Sequence, residues 1–147
     1  MKSIARSRGA DVKVVLDSMI WVSYCSLKDG YRHRLIERAR VKRVRFFVSE
    51  YILNEVETAL TEDLELSERF AAMARRAILR IAKPVDLTAS SKSYVAGDQD
   101  DDAIVQTALK AKADYLVTAD KEILKVRKVE DVEIITTQQW EDLLPLK

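Results

Sequence analysis

"VKVVLDSMIWVSYCSL", residues 12–27, places four apolar residues among five positions directly ahead of a lone carboxylate, Asp17. The run 12–16 is short and β-branched, and it does not alternate with polar residues. It therefore reads as a strand buried on both faces, the kind found inside a parallel sheet covered by helices. The rest of the chain has to supply those helices and further strands.

Working outward, "SMIWVSYCSL" and "YRHRLIERAR" have helical patterning and are separated by a "KDG" turn at 28–30. "VRFFVS" (44–49) is a second strand, and Ser49 is placed to cap the helix "EYILNEVETAL". "SERFAAMARRAILRIAK" (67–83) is a helix with Ser67 as N-cap and Pro84 as its stop, followed by a short strand at 85–87. Beyond an acidic cluster come a helix at 101–112, the strand "YLVT" (115–118), a short helix "DKEIL", the strand "EII" (133–135) and a last helix "TQQWEDLL". Strands alternating with helices predict an α/β sandwich around a mainly parallel sheet. No repeat, low-complexity tract or linker interrupts the pattern, so residues 1–147 read as a single domain.

Composition narrows the function classes. A chain of 147 residues that is 48% hydrophobic and 33% charged can bury a sizeable core, which excludes a disordered or fibrous polymer. No apolar run is long enough to span a membrane, and "MKSIARSRGA" lacks the apolar centre of a signal peptide, so a cytoplasmic location is expected. Cys25 is the only cysteine and His33 the only histidine, which excludes an intrachain disulfide and any site built on several thiolates or imidazoles. The net charge of +1 conceals a two-sided molecule. Residues 1–50 carry 12 Lys+Arg against 5 Asp+Glu, and the remainder carries 13 against 19. The basic excess concentrates in "YRHRLIERARVKRVR" (31–45). A solvated helix face accounts for such a run taken alone; beside an acidic metal cluster it becomes a track for a phosphate backbone.

That acidic cluster is "AGDQDDDAIVQTALK" (96–110), with Asp98, Asp100, Asp101 and Asp102 inside five positions. One or two carboxylates suffice to cap a helix, whereas four repelling ones become favourable neighbours around a hard divalent cation. Asp101 lies three, four and seven positions before Ile104, Val105 and Ala108, so it points to the buried face while Asp100 and Asp102 flank it as capping or solvent-facing groups. Asp17 ends the first strand and Asp120 lies just past "YLVT", which delivers two carboxylates to the edge where open parallel sheets build their sites. On "SEYILNEVETAL", Glu55 and Glu57 border the apolar stripe on opposite sides, and periodicity does not choose between them.

"VVLDSMIWVS", "VSEYILNEVETAL", "GDQDDDAIVQTALKAKADYLVTADKEIL" and "VEIITTQQWEDLL" resemble, in order and spacing, the blocks of the PIN-domain family, particularly its toxin ribonuclease branch. The resemblance covers nearly the whole chain. It implies a PIN-like three-layer α/β/α sandwich and a metal-dependent endoribonuclease that cleaves single-stranded RNA. Asp17, Glu55, Asp101 and Asp120 would be its catalytic and metal-holding acids, with Asp98 a secondary candidate and Mg²⁺ or Mn²⁺ the cofactor. Arg32, Arg34, Arg38, Lys42 and Arg43 are the candidate RNA contacts, His33 reads as part of the same basic strip, and Tyr24 or Tyr94 is a candidate for stacking on bases. A cognate antitoxin and a homodimer are the implied protein partners. Met19 stands where the family usually has Asn, "TAD" replaces the more usual "TGD", and Glu122 stands where this branch often has Asp. Met19 is the feature behind an alternative reading, a catalytically weakened PIN-like module that binds RNA or protein.

Overall fold

Strand β1 (Lys13–Leu16) runs parallel to β2 (Arg45–Ser49) on one side and to β4 (Tyr115–Val117) on the other. The computed structural model describes residues 12–87, 94–95 and 99–144. Val14, Val15 and Leu16 have no exposed surface, as expected of a strand covered on both faces. Burial of each such side chain stabilises the fold by roughly 1.5–3 kcal/mol, so a slip that drew Asp17 into the sheet would be strongly disfavoured.

Beyond β2 lies β3 (Ala82–Val85), and beyond β4 lies β6 (Val132–Ile135), both parallel. The two-residue β5 (Lys128–Val129) pairs antiparallel with β6 and closes that edge, giving the order β3-β2-β1-β4-β6-β5. The chain walks outward from β1 to β3 and then returns to the other side of β1. The strand order therefore reverses between β1 and β4, where open α/β sheets form their crevice.

Helices α1 (Ser18–Ser26) and α2 (Tyr31–Val41) connect β1 to β2, and α3 (Glu50–Thr58) and α4 (Glu68–Ile81) connect β2 to β3. Helix α5 (Gln99–Ala111) leads into β4, α6 (Lys121–Leu124) follows it, and α7 (Thr137–Leu143) ends the described chain. Trp21 of α1 and Trp140 of α7 both meet Phe46 of β2 edge-to-face, at 5.9 and 6.0 Å between ring centroids, and so cover one face of the sheet. Helix α5 lies against β1, β2, β3 and β4, and right-handed crossover places it on the opposite face. The result is the expected three-layer α/β/α sandwich with a mainly parallel sheet.

Two local expectations differ from what the chain does, and one strand is not among those expected. Pro84 does not stop a helix; α4 ends at Ile81, and the strand expected at 85–87 runs instead from Ala82 to Val85 with Pro84 inside it. An edge strand tolerates proline because only one of its sides needs backbone donors. The helix after Ser49 leaves α geometry at Thr58 and continues as a π-helical turn, Ala59–Asp63, closed by Leu64 N–H donating to the Ala59 carbonyl. Strand β5 is a two-residue piece whose turn puts Glu130 in the left-handed region, too short to leave a periodic signal.

Candidate active site

Asp17 caps α1: its Oδ1 accepts the Ser18 N–H at 2.6 Å. Its Oδ2 accepts the Thr118 hydroxyl at 2.5 Å, and Thr118 Oγ1 in turn accepts the Asp120 N–H at 3.0 Å. Asp120 caps α6, with Oδ1 accepting from the Glu122 and Ile123 N–H groups. Capping and site formation are thus not alternatives at the ends of β1 and β4. The same geometry that satisfies a helix N-terminus aims both carboxylates at the switch point.

Glu55 approaches from α3. Ser18 Oγ donates to its Oε1 at 2.5 Å and the Tyr51 hydroxyl to its Oε2 at 3.1 Å. Ser18 therefore links two acids, Asp17 through its N–H and Glu55 through its hydroxyl. Glu57, on the other side of the stripe, is taken by Arg75 of α4 at 3.0 Å, which resolves the ambiguity that periodicity left.

Asp17, Glu55, Asp101 and Asp120 line one cleft of about 690 Å³, joined there by Asp63, and among the described residues no Lys or Arg is part of its lining. Burial raises the pKa of Asp17, against the bonds from Thr118 and Ser18, and the charge of Asp120 adds to the rise. Burial likewise raises the pKa of Glu55, and the charges of Asp17 and Asp100 add to that rise. Such a site favours anything that neutralises its carboxylates, a proton or a cation. Among the described residues no three Asp, Glu, His or Cys side chains converge closely enough to hold a metal ion as they stand.

Asp101 is buried in the first turn of α5 and faces the cleft, as its spacing from Ile104 and Val105 predicts. Asp102 is a correction, because it is not solvent-facing. It is 6% exposed, and its Oδ1 accepts the N–H groups of Tyr94 and Val95, each at 2.7 Å. Asp98 lies outside the described residues.

The basic strip divides. Arg32 donates to Ser23 Oγ at 3.1 Å, and its charge reaches Asp17. Arg34 donates to the Asp29 carbonyl in the turn before α2, and Arg38 lies 3.9 Å from Glu141 of α7. Lys42 and Arg43 sit where the chain enters β2, at the amino-terminal edge of the sheet and opposite the cleft. His33 does not extend the strip: it stacks on Tyr24 at 4.5 Å, and its Nδ1 lies 2.8 Å from the Tyr24 carbonyl oxygen. Tyr24 is itself buried, with its hydroxyl donated to Glu37, so it serves packing and does not face a base. Tyr94 is packed against the core.

Tyr51, Asn54 and Asp63 line the cleft without having been singled out in the sequence. The first two could have been found, because residues 51, 54, 55 and 58 share one face of α3. Asp63 could not, because its place depends on the π turn.

The PIN domain family profile matches residues 13–122, a span that holds β1, the cleft and all four principal acids. The chain belongs to the PIN domain family. Solved PIN folds are similar to it across most of its length. VapBC2 from Rickettsia felis, bound to a DNA fragment from its promoter, superposes with a TM-score of 0.63 at 14% identity, covering 85% of this chain and 98% of that one. The PIN domain endonuclease Utp24 gives 0.56 at 18%, covering 91% and 88%. VapC20 of Mycobacterium tuberculosis, a toxin that cleaves the sarcin-ricin loop, gives 0.52 at 17%, covering 82% and 98%. At these identities the likeness is one of fold. No curated protein matches the sequence significantly.

Proposed function

We propose that this PIN domain is a Mg²⁺- or Mn²⁺-dependent endoribonuclease that cleaves single-stranded RNA, of the kind that acts as the toxin of a toxin–antitoxin pair. The observation that carries the reading is the gathering of Asp17, Glu55, Asp101 and Asp120, from four separate stretches of chain, in one cleft at the switch point of the sheet whose described lining holds no Lys or Arg. VapBC2 and VapC20 lend support to the toxin assignment through their shared fold.

In chemistry, though not in the spacing its carboxylates have as they stand, the donor set suits a hard divalent ion. It is all carboxylate oxygen, it is crowded enough that burial and mutual repulsion raise two of its pKa values, and the cleft has room for retained waters. Asp17, Glu55, Asp101 and Asp120 would hold the ion. When bound, such an ion lowers the pKa of a coordinated water and offsets charge building on the phosphodiester. The chain's own residues do the remainder. Thr118 and Ser18 fix the Asp17 carboxylate, Ser18 and Tyr51 fix Glu55, and the α6 cap fixes Asp120. Purified chain is expected to cut single-stranded RNA with Mn²⁺ or Mg²⁺ and to stop on chelation; undiminished cleavage in excess EDTA would refute the metal-dependent reading. Absence of cleavage together with retained RNA binding would instead support the weakened binding module that Met19, exposed on the cleft wall, suggests.

Arg32 is the member of the basic strip whose charge reaches the site, so it is the residue proposed to meet the RNA backbone. Arg32→Ala is expected to flatten the salt dependence of RNA binding by a slope of about 0.7 per lost phosphate contact. Lys42→Ala with Arg43→Ala, on the far edge, should leave the slope unchanged. Equal slopes in all three proteins would show that the strip serves something other than this cleft.

The chain offers a second surface on which a protein antitoxin could dock. A second cleft of about 390 Å³ between α1, α2 and α4 is lined by apolar residues that include Phe70, Met73 and Ala77 together with Lys28, Arg76 and Arg80, and by no acid among the described residues. That composition suits an apolar segment flanked by acidic residues.

A further inference from the structure

Glu55 is gripped through both carboxylate oxygens, and its two holders differ in kind. Ser18 belongs to the same short stretch as Asp17, so its bond follows from the α1 cap. Tyr51 sits one turn before Glu55 on α3, lines the cleft, and gives its hydroxyl proton to Oε2 at 3.1 Å. Asp100, at the start of α5, lies close enough to hold up the pKa values of both the Tyr51 phenol and Glu55. A phenol carries one proton, and here that proton is committed to Glu55. Glu55 and Asp100 repel each other. Phenylalanine would fill the same half-buried space but leave Glu55 Oε2 without its donor against that repulsion.

We propose that Tyr51 is a positioning residue for the metal site: its hydroxyl holds Glu55 turned into the cleft, against the repulsion of Asp100 at the start of α5. The proposal rests on the reading of the cleft as a divalent-metal site. Without the hydroxyl, repulsion from Asp100 turns Glu55 away and its side chain regains rotamers that must be lost again when it holds an ion. Partners that orient a ligand carboxylate carry about 10–100-fold in metal affinity when removed. Met19 offers no polar atom able to take over this role, since it stands in the cleft wall as a thioether.

The test is Mn²⁺ uptake by the purified chain, followed through the paramagnetic resonance signal of free Mn²⁺, in wild type, Tyr51→Phe and Tyr31→Phe. Tyr31 is a matched control, because its hydroxyl also donates to a carboxylate, that of Glu141, away from the cleft. Tyr51→Phe is expected to raise the half-saturating Mn²⁺ concentration about tenfold or more, with thermal unfolding of the metal-free protein little changed, while Tyr31→Phe leaves uptake at the wild-type level. In a Glu55→Gln background, Tyr51→Phe should add little, because both changes act on the same ligand. Wild-type affinity in Tyr51→Phe, or a full additional loss on top of Glu55→Gln, overturns the role of Tyr51 and leaves the metal site standing. A wild-type chain that takes up no Mn²⁺ overturns the metal site itself, and the positioning role with it.

Discussion

Asp17→Asn is expected to remove RNA cleavage, by a factor of about a hundred or more, and at the same time to make the metal-free protein harder to unfold at neutral pH. The first effect follows because the substitution deletes a charged oxygen from the proposed site, a larger change than loss of an orienting partner. The second follows from the cost of keeping Asp17 ionised. Its carboxyl is 7% exposed, and burial, with Asp120 beside it, raises its pKa above the usual 3.8. An acid whose pKa is raised on folding holds its proton more tightly in the folded chain than in the unfolded one. The stability it contributes is therefore full below the unfolded pKa and is lost as pH rises through the folded one. Glu55, whose pKa is also raised, adds a loss of the same sign. Wild type in chelator should accordingly lose stability as pH rises from mildly acidic to neutral, and Asp17→Asn should show a shallower loss while keeping the cap, since asparagine also accepts a helix N–H. Urea unfolding of both proteins across that range measures the difference. A mutant that follows the wild-type pH dependence would mean that Asp17 carries no such burden, and a mutant that still cleaves RNA would remove Asp17 from the site.

How much of this was legible in the chain depends on whether a feature is local. Central β1 announced itself because burial on both faces leaves an unbroken apolar run, and Asp17 and Asp120 could be placed because strand ends in a parallel sheet share an edge. Ser49, Ser67 and Asp120 all cap the helices they precede, and capping is written within three residues. What the sequence left open depends on partners far away in the chain. Glu55 and Glu57 are equivalent by periodicity and are separated by Arg75, 18 residues beyond Glu57. Pro84 looks like a helix stop until one knows that β3 is an edge strand. Asp102 looks solvent-facing because the N–H groups that need it belong to a loop with no periodicity of its own. The basic strip is uniform in sequence, yet α2 rises past the sheet, so its two ends serve opposite edges.

Asp101 and Asp102 turn that last kind of ambiguity into the sharpest contrast available, because they are neighbours, both buried, and committed to different tasks. Asp101 faces the cleft, whereas the Oδ1 of Asp102 accepts two backbone N–H groups that no ladder satisfies. Asp101→Asn should abolish cleavage, and Mn²⁺ should stabilise the mutant much less than it stabilises wild type, since an ion that binds the folded chain shifts unfolding by mass action. Asp102→Asn should keep most activity, because the amide oxygen accepts the same two N–H groups, at a cost of about 1 kcal/mol for the lost charge. Asp102→Ala should be far worse for stability than for chemistry. It strands both donors, and bonds of this charged type are worth roughly 1.5–3 kcal/mol each, so a loss of about 3–6 kcal/mol, on the order of 10–20 °C in Tm, is expected. Cleavage measured well below the melting point should then survive in both Asp102 variants and vanish in Asp101→Asn. The reverse pattern, activity lost with Asp102→Asn and kept with Asp101→Asn, would transfer the functional role to the neighbouring carboxylate and require the site to be rebuilt around the loop at Tyr94 and Val95.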